Sequence, residues 1–364
     1  MKNAKFLQRA GAFALALTMA LSLAGCGQAA SGSSQAASSA PASSAAASSE
    51  AASSQAQGPI QLTDQAGRQV ELEEPAQSLV SCYYITTYAT LALGVSDRVV
   101  GLEKKAETRP VYQMADPALL EKPQLGTLKE FDVEAAAALE PDLVLMPVKL
   151  MDYVDALTEL GIPVLVVDPE NQDRLEEMLT LIGQACGVED RAQSLIDYYH
   201  EQEDRMAQLT EGQESPLVYM GGNSSYLETA PNAMYQGSLI QLAGGQNAAG
   251  ELEGDYWTEI SYESLLAMAP EVIILPSAAS YTVEDILNDA QLAGVPAVEE
   301  GRVYQMPGQV EEWDSPVPSG ILGALWLTST LHPESYSQEE FVVDAQDFYR
   351  EFYGFELDAQ LLTA

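Results

Sequence analysis

Histidine is nearly absent from this chain: two residues, His200 and His332, stand among 364, against 54 acidic and only 16 basic residues. General acid–base chemistry and haem ligation by imidazole therefore have little to draw on. His200 falls in a predicted long helix and His332 near a helix end, so haem is disfavoured, with a Tyr ligand left open. A Ser-centred elbow, a glycine-rich phosphate cradle and the Cys/His spacing of a metal site are all missing. The sequence thus reads as a non-enzyme with no resident cofactor or metal. Cysteine is scarce too. Cys82 and Cys186 lie far apart without a spacing motif, and read as small buried residues, although an oxidising compartment would permit them to pair. Past the N-terminal segment no apolar run is long enough to span a bilayer, which excludes a channel.

What is present begins with Lys2, Lys5 and Arg9, the only charges before Cys26. An apolar stretch from about Ala10 to Leu23 ends in Leu23-Ala24-Gly25-Cys26. A basic start, a short apolar core and small residues before the cut describe a secretory signal over residues 1–25. The Cys that follows resembles a lipobox cysteine, the site of lipidation. Residues 26–58 are almost entirely Ser, Ala, Gln and Gly, with too little apolar bulk to repay ordering, and read as a disordered tether. Loss of residues 1–25 takes the formal charge from −38 to −41. So acidic a surface argues against nucleic acid and anionic lipid as partners, and serves solubility equally well.

Beyond residue 58 the pattern is α/β. A strand–turn–strand spans Ile60–Thr63 and Gln69–Leu72, after which strands (Leu79–Ser81, Val99–Leu102, Leu143–Met146, Val164–Val167) alternate with helical stretches. Arg174–Cys186 reads as a helix stopped by Gly187. Glu189–Leu209 reads as an amphipathic rod of about 30 Å, with Ala192, Leu195, Ile196, Tyr199 and Met206 on one face, suited to bridging two lobes. A second run follows with strands at Leu217–Met220, Val272–Leu275 and Arg302–Tyr304, and a closing helix at Phe341–Phe355. The phrase Leu139-Glu140-Pro141-Asp142-Leu143-Val144-Leu145 returns as Met268-Ala269-Pro270-Glu271-Val272-Ile273-Ile274, so the halves share a plan. The expected fold is two Rossmann-like lobes, 59–187 and 212–364, with mostly parallel sheets joined by a helix at 188–211, and ligand in the cleft between them.

Read in order, Leu93-Gly94-Val95-Ser96-Asp97-Arg98-Val99-Val100-Gly101, Gly126 with Val133-Glu134-Ala135, Leu139-Glu140-Pro141-Asp142, Leu160-Gly161-Ile162-Pro163-Val164, Ala243-Gly244-Gly245-Gln246-Asn247, Ile260-Ser261-Tyr262-Glu263 and Gly301-Arg302-Val303-Tyr304 carry a resemblance. The chain is similar to the substrate-binding proteins of ABC importers for iron–siderophore complexes, haem and cobalamin. That resemblance implies a lipid-anchored, extracytoplasmic monomer that captures a small solute and passes it to a permease and its ATPase. It also implies one exposed docking Glu on each lobe, which fall here on Glu134 and Glu263, to pair with permease arginines. A ferric siderophore is the leading ligand. A bare oxyanion such as molybdate or tungstate is the alternative, as is a sensor module without transport.

Ligands of open α/β sheets bind beyond the carboxyl ends of strands. Six basic residues, Lys104, Lys105, Arg109, Lys122, Lys129 and Lys149, fall in 104–149, several of them on such ends, and point to an anionic ligand, in keeping with a metal chelate. Lys104, Lys105, Arg109 and Lys149 are the expected contacts. Tyr83, Tyr84, Tyr226, Trp257 and Trp313 are expected as an aromatic wall.

Overall fold

The computed structural model describes residues 58–254 and 256–362. The signal segment, Cys26 and most of the tether lie outside them. The strand–turn–strand opens the described chain as predicted, with Ile60–Thr63 antiparallel to Gln69–Leu72. Two four-stranded sheets follow, and every neighbouring pair in them is parallel. The first runs Val99–Gly101, Leu79–Ser81, Leu143–Pro147, Val164–Val167. The second runs Gln246–Asn247, Leu217–Met220, Val272–Leu275, Val303–Gln305. Each sheet has its second strand at the edge, then its first, third and fourth.

The repeated phrase is structural as well as verbal. Glu140 and Ala269 hold the same place in it, each just before a proline, and both have left-handed φ, 49° and 48°. Among the described residues Lys105 is the one other non-glycine with positive φ. The acid three positions after the phrase begins also has the same task in each half. Asp142 Oδ2 accepts from the backbone N–H groups of Gln77 and Ser78 at 2.8 and 2.9 Å, and Glu271 Oε2 from that of Leu217 at 2.8 Å. Each carboxylate thereby clamps the start of its sheet's first strand.

Leu143–Pro147, Val164–Val167 and Val272–Leu275 are buried on both faces, so they read as continuous apolar runs. Alternate side chains divide between layers. Leu79, Leu143, Leu145, Leu165 and Val167 join Val218, Met220, Val272 and Ile274 in one shared core. Val80, Val144, Met146, Val164 and Val166 pack on the other side of the first sheet, and Tyr219, Ile273 and Leu275 on the other side of the second.

The long helix is Glu189–Thr210, 22 residues, so about 33 Å. It buries Ala192, Leu195, Ile196, Tyr199 and Met206, packs on the helices Gln172–Cys186, Tyr235–Leu242 and Ile321–Leu331, and its Tyr199 hydroxyl donates to the Pro318 carbonyl at 2.6 Å. Gly187, which stops the preceding helix, is left-handed at φ 66°. Cys82 and Cys186 are buried free thiols.

The helix Ile321–Leu331 differs from the expected pattern, which leaves this stretch unassigned. Ten of its eleven residues are buried. A segment apolar on all sides has no 3.6-residue signature to reveal it. The closing helix also differs: Gln338–Phe348 widens into a π turn at Tyr349–Tyr353 before Gly354.

Candidate ligand pocket and docking carboxylates

At the carboxyl end of the first sheet a cavity of about 390 Å³ is lined by Cys82, Tyr83, Tyr84, Glu103, Lys104, Lys105, Arg109, Thr127, Leu128 and Lys129. Three strand ends build it. Leu79–Ser81 delivers Cys82 to Tyr84 at the mouth of the helix Tyr84–Ala92, and the Ser81 hydroxyl lies 2.6 Å from that of Thr86, tying strand to helix. Val99–Gly101 delivers Glu103 to Lys105, where left-handed Lys105 turns the chain and its N–H donates to Gln124 Oε1 at 2.9 Å. The short hairpin of Gly126–Thr127 and Glu130–Phe131 supplies Thr127, Leu128 and Lys129. Only glycine fits at 126, since a Cβ there would stand 2.3 Å from the Glu130 carbonyl oxygen.

Four cations face this cavity and one carboxyl group, Glu103, lies under it. Burial raises the Glu103 pKa, and hydrogen bonds donated by Tyr112 at 2.6 Å and Thr87 at 2.8 Å pull it back. Burial likewise pushes the Tyr84 hydroxyl up to about 12 and the Cys82 thiol well up, so both stay protonated and the thiol is unreactive at neutral pH. The Arg109 guanidinium lies 4.1 Å from the Tyr84 ring centroid, a cation–π stack, and its Nη1 donates to Glu312 Oε1 at 2.5 Å. Lys104 reaches Glu130 at 3.2 Å, with both ends exposed.

Five expected ligand contacts therefore come together: Tyr83, Tyr84, Lys104, Lys105 and Arg109. Four do not. The strand Leu143–Pro147 runs on into a 3₁₀ turn, Val148–Tyr153, which leaves Lys149 exposed outside the cavity, where its charge acts on Glu170. Tyr226 is held on the second sheet's outer layer, its hydroxyl donating to Asp289 Oδ2 at 2.8 Å and lying 3.1 Å from that of Tyr262. Trp257 is half-buried beside the short strand Thr258–Glu259 and does not line the cavity. Trp313 is a correction to the aromatic wall. It is 1% exposed, packs edge-on to Phe341, and its Nε1–H donates to the Tyr349 hydroxyl at 3.0 Å, so its indole is core.

Glu103 and Glu312 are site residues the sequence reasoning missed. In a chain with 54 acids, two more carboxylates give no signal, whereas scarce cations do. Position was the available clue, since both follow strand ends.

Larger hollows of about 500 Å³ at Gln172, Glu203 and Thr210 and about 610 Å³ at Pro216, Glu271 and Arg302 exist. The second opens at the amino ends of strands, and the first lies along the long helix. Neither sits where open α/β sheets present ligand.

Glu134 and Glu263 match closely. Each is the second residue of a short helix, Val133–Ala137 or Tyr262–Met268, capped by the side chain of Asp132 or Ser261. Each is exposed, and each precedes its half's left-handed residue, Glu140 or Ala269, by the same interval in the repeat.

Two parallel sheets in one plan, a long connecting helix and a cationic pocket at a sheet's carboxyl end define a two-lobed solute-binding protein. The chain belongs to the periplasmic binding protein family, whose model matches residues 79–310. It is 23% identical over 321 residues to the molybdate-binding protein MolA of Haemophilus influenzae, covering 80% of this chain and 90% of MolA. The structure of MolA bound to molybdate superposes with a TM-score of 0.71 at 22% identity, covering 82% of this chain and 99% of that one. An uncharacterised ABC transporter substrate-binding lipoprotein of Bacillus subtilis, YvrC, is 22% identical over 340 residues, covering 91% of this chain and 99% of YvrC. A periplasmic solute-binding protein of Veillonella parvula has a TM-score of 0.71 at 23% identity, covering 84% and 95% of the two chains. No helix among the described residues is long and apolar enough to cross a membrane.

Proposed function

We propose that this chain is the lipid-anchored, extracytoplasmic receptor of an ABC importer, that it captures an anionic metal chelate, a ferric siderophore first among them, and that it hands this to the permease through Glu134 and Glu263. The observation that carries the reading is the gathering of Lys104, Lys105, Arg109 and Lys129 around one cavity in a chain of formal charge −38. Charge-assisted contacts from such groups favour carboxylate, catecholate or oxyanion ligands. Size favours the chelate: about 390 Å³ lies within the range of small organic ligands and holds roughly a dozen waters' worth of volume. Tyr83 and Tyr84 add an apolar wall. The second reading, a bare oxyanion, is favoured by the likeness to MolA over 90% of its length. Lipidation of Cys26 and the lobes 59–187 and 212–364 belong to the same proposal.

Affinity of single Ala variants for molybdate and for a ferric catecholate, at low and high salt, tests it. Arg109→Ala, which removes a half-buried contact, should cost about 1.5–3 kcal/mol, or roughly ten- to hundred-fold, at both salt levels. Lys149→Ala acts only through the field, so its small effect should vanish at 1 M salt, where the Debye length is about 3 Å. Parent-like binding by the Lys104, Lys105 and Arg109 variants at both salt levels would refute an anionic ligand.

A further inference from the structure

Arg109 is the least exposed cation in the pocket, and it is already occupied. Its guanidinium donates to Glu312 Oε1 at 2.5 Å, and the Tyr88 hydroxyl donates to Glu312 Oε2 at 3.3 Å. The two charged side chains are 23% and 27% exposed, so neither is deeply desolvated and the pair can open to water. Glu312 arrives from the other half of the chain, on the segment following the strand Val303–Gln305. Its neighbours fix it there. Glu311 is 1% exposed and accepts from Tyr349 and Tyr353, while Trp313 is core, so the backbone is pinned on both sides and Glu312 is the one of the three that reaches the cavity's arginine.

A carboxylate held in this way is an intramolecular competitor. Even a short flexible tether gives an effective concentration on the order of millimolar, and a pinned segment gives more. A free monocarboxylate gains only about 0.2–1 kcal/mol from an accessible ion pair and cannot displace it. A ligand with two or more acidic groups can, because its other groups gain Lys104, Lys105 or Lys129 as Arg109 changes partner.

We infer that Glu312 is a specificity-determining residue, a built-in anion on Arg109 that excludes singly charged solutes and admits polyanionic ones. The inference rests on the anionic-ligand reading above and sharpens it: the ligand is a chelate with several acid groups or a doubly charged oxyanion.

The test measures affinity of parent and Glu312→Gln for ferric citrate and molybdate as polyanionic probes, and for lactate as the singly charged one. Glu312→Gln should bind the polyanions about ten-fold more tightly. It should gain measurable lactate binding, so the ratio of polyanion to lactate affinity falls. Should the Gln variant fold poorly, Glu312→Asp, whose shorter arm loosens the contact with Arg109, should still bind the polyanions more tightly than the parent. Unchanged or weaker polyanion binding in Glu312→Gln, with the parent binding normally, overturns the inference and leaves the anionic reading standing. If neither protein binds any of the anions, the anionic reading falls and this inference falls with it.

Discussion

Changing Glu134 and Glu263 together to Ala should abolish solute delivery and stimulation of the transporter's ATPase while ligand affinity stays within about two-fold of the parent. Neither side chain touches the pocket. Both are exposed at the first turn of a capped helix, where the dipole already favours a negative charge, and they sit at matching places of the two half-repeats. In the docking role proposed above, two carboxylates so related act as two points of contact, with charge pairing setting orientation and association rate. One alone leaves a receptor that meets its permease without alignment, so each single variant should lose most of the activity. Reconstituted vesicles with the cognate permease and ATPase provide the readout. Retained transport in the double variant would remove the docking role from both residues.

A comparably large effect is expected on stability at Glu311. Burial raises this carboxyl group from its ordinary 4.5 to about 7, with the neighbouring Glu312 charge adding to the rise, against hydrogen bonds from Tyr349 at 2.7 Å and Tyr353 at 3.0 Å. A carboxyl whose folded pKa is raised binds its proton more tightly in the folded state, so between pH 4.5 and about 7 folding takes up a proton and stability falls as pH rises. The contribution is full below pH 4.5 and lost above about 7. Glu311→Gln removes the dependence and keeps the shape. The Tyr349 and Tyr353 hydroxyls can rotate to meet either amide atom. The variant should match the parent near pH 4.5 and exceed it by about 3 kcal/mol at pH 8. Denaturant titrations of the two proteins across that range provide the difference, in which other titrating acids cancel. A difference that is constant with pH would contradict the account.

How far the sequence reveals this molecule depends on whether a residue's task leaves a local trace. Strands buried on both faces, such as Val164–Val167 and Val272–Leu275, show as short apolar runs, and Gly187 marks a helix end because its left-handed backbone suits glycine. The repeated Pro-containing phrase carries the half-to-half relation, including the places of Glu134 and Glu263. The pocket's cations were legible because cations are rare here. Orientation was not. Trp313 follows a strand end as a wall residue would, yet its indole turns inward to Tyr349, a contact 36 positions away that no local pattern encodes. Lys149 follows its strand directly, yet the 3₁₀ turn from Val148 carries it out of the cavity. The task of Glu312 depends on an arginine 203 positions earlier in the chain.

The most direct measurement is native mass spectrometry of the protein released from its own cells, with Arg109→Ala prepared in parallel. The parent should retain a polyanionic complex bearing a metal isotope pattern, and the variant should lose it. A neutral or cationic solute, or the same complex held equally by Arg109→Ala, would contradict the proposed function.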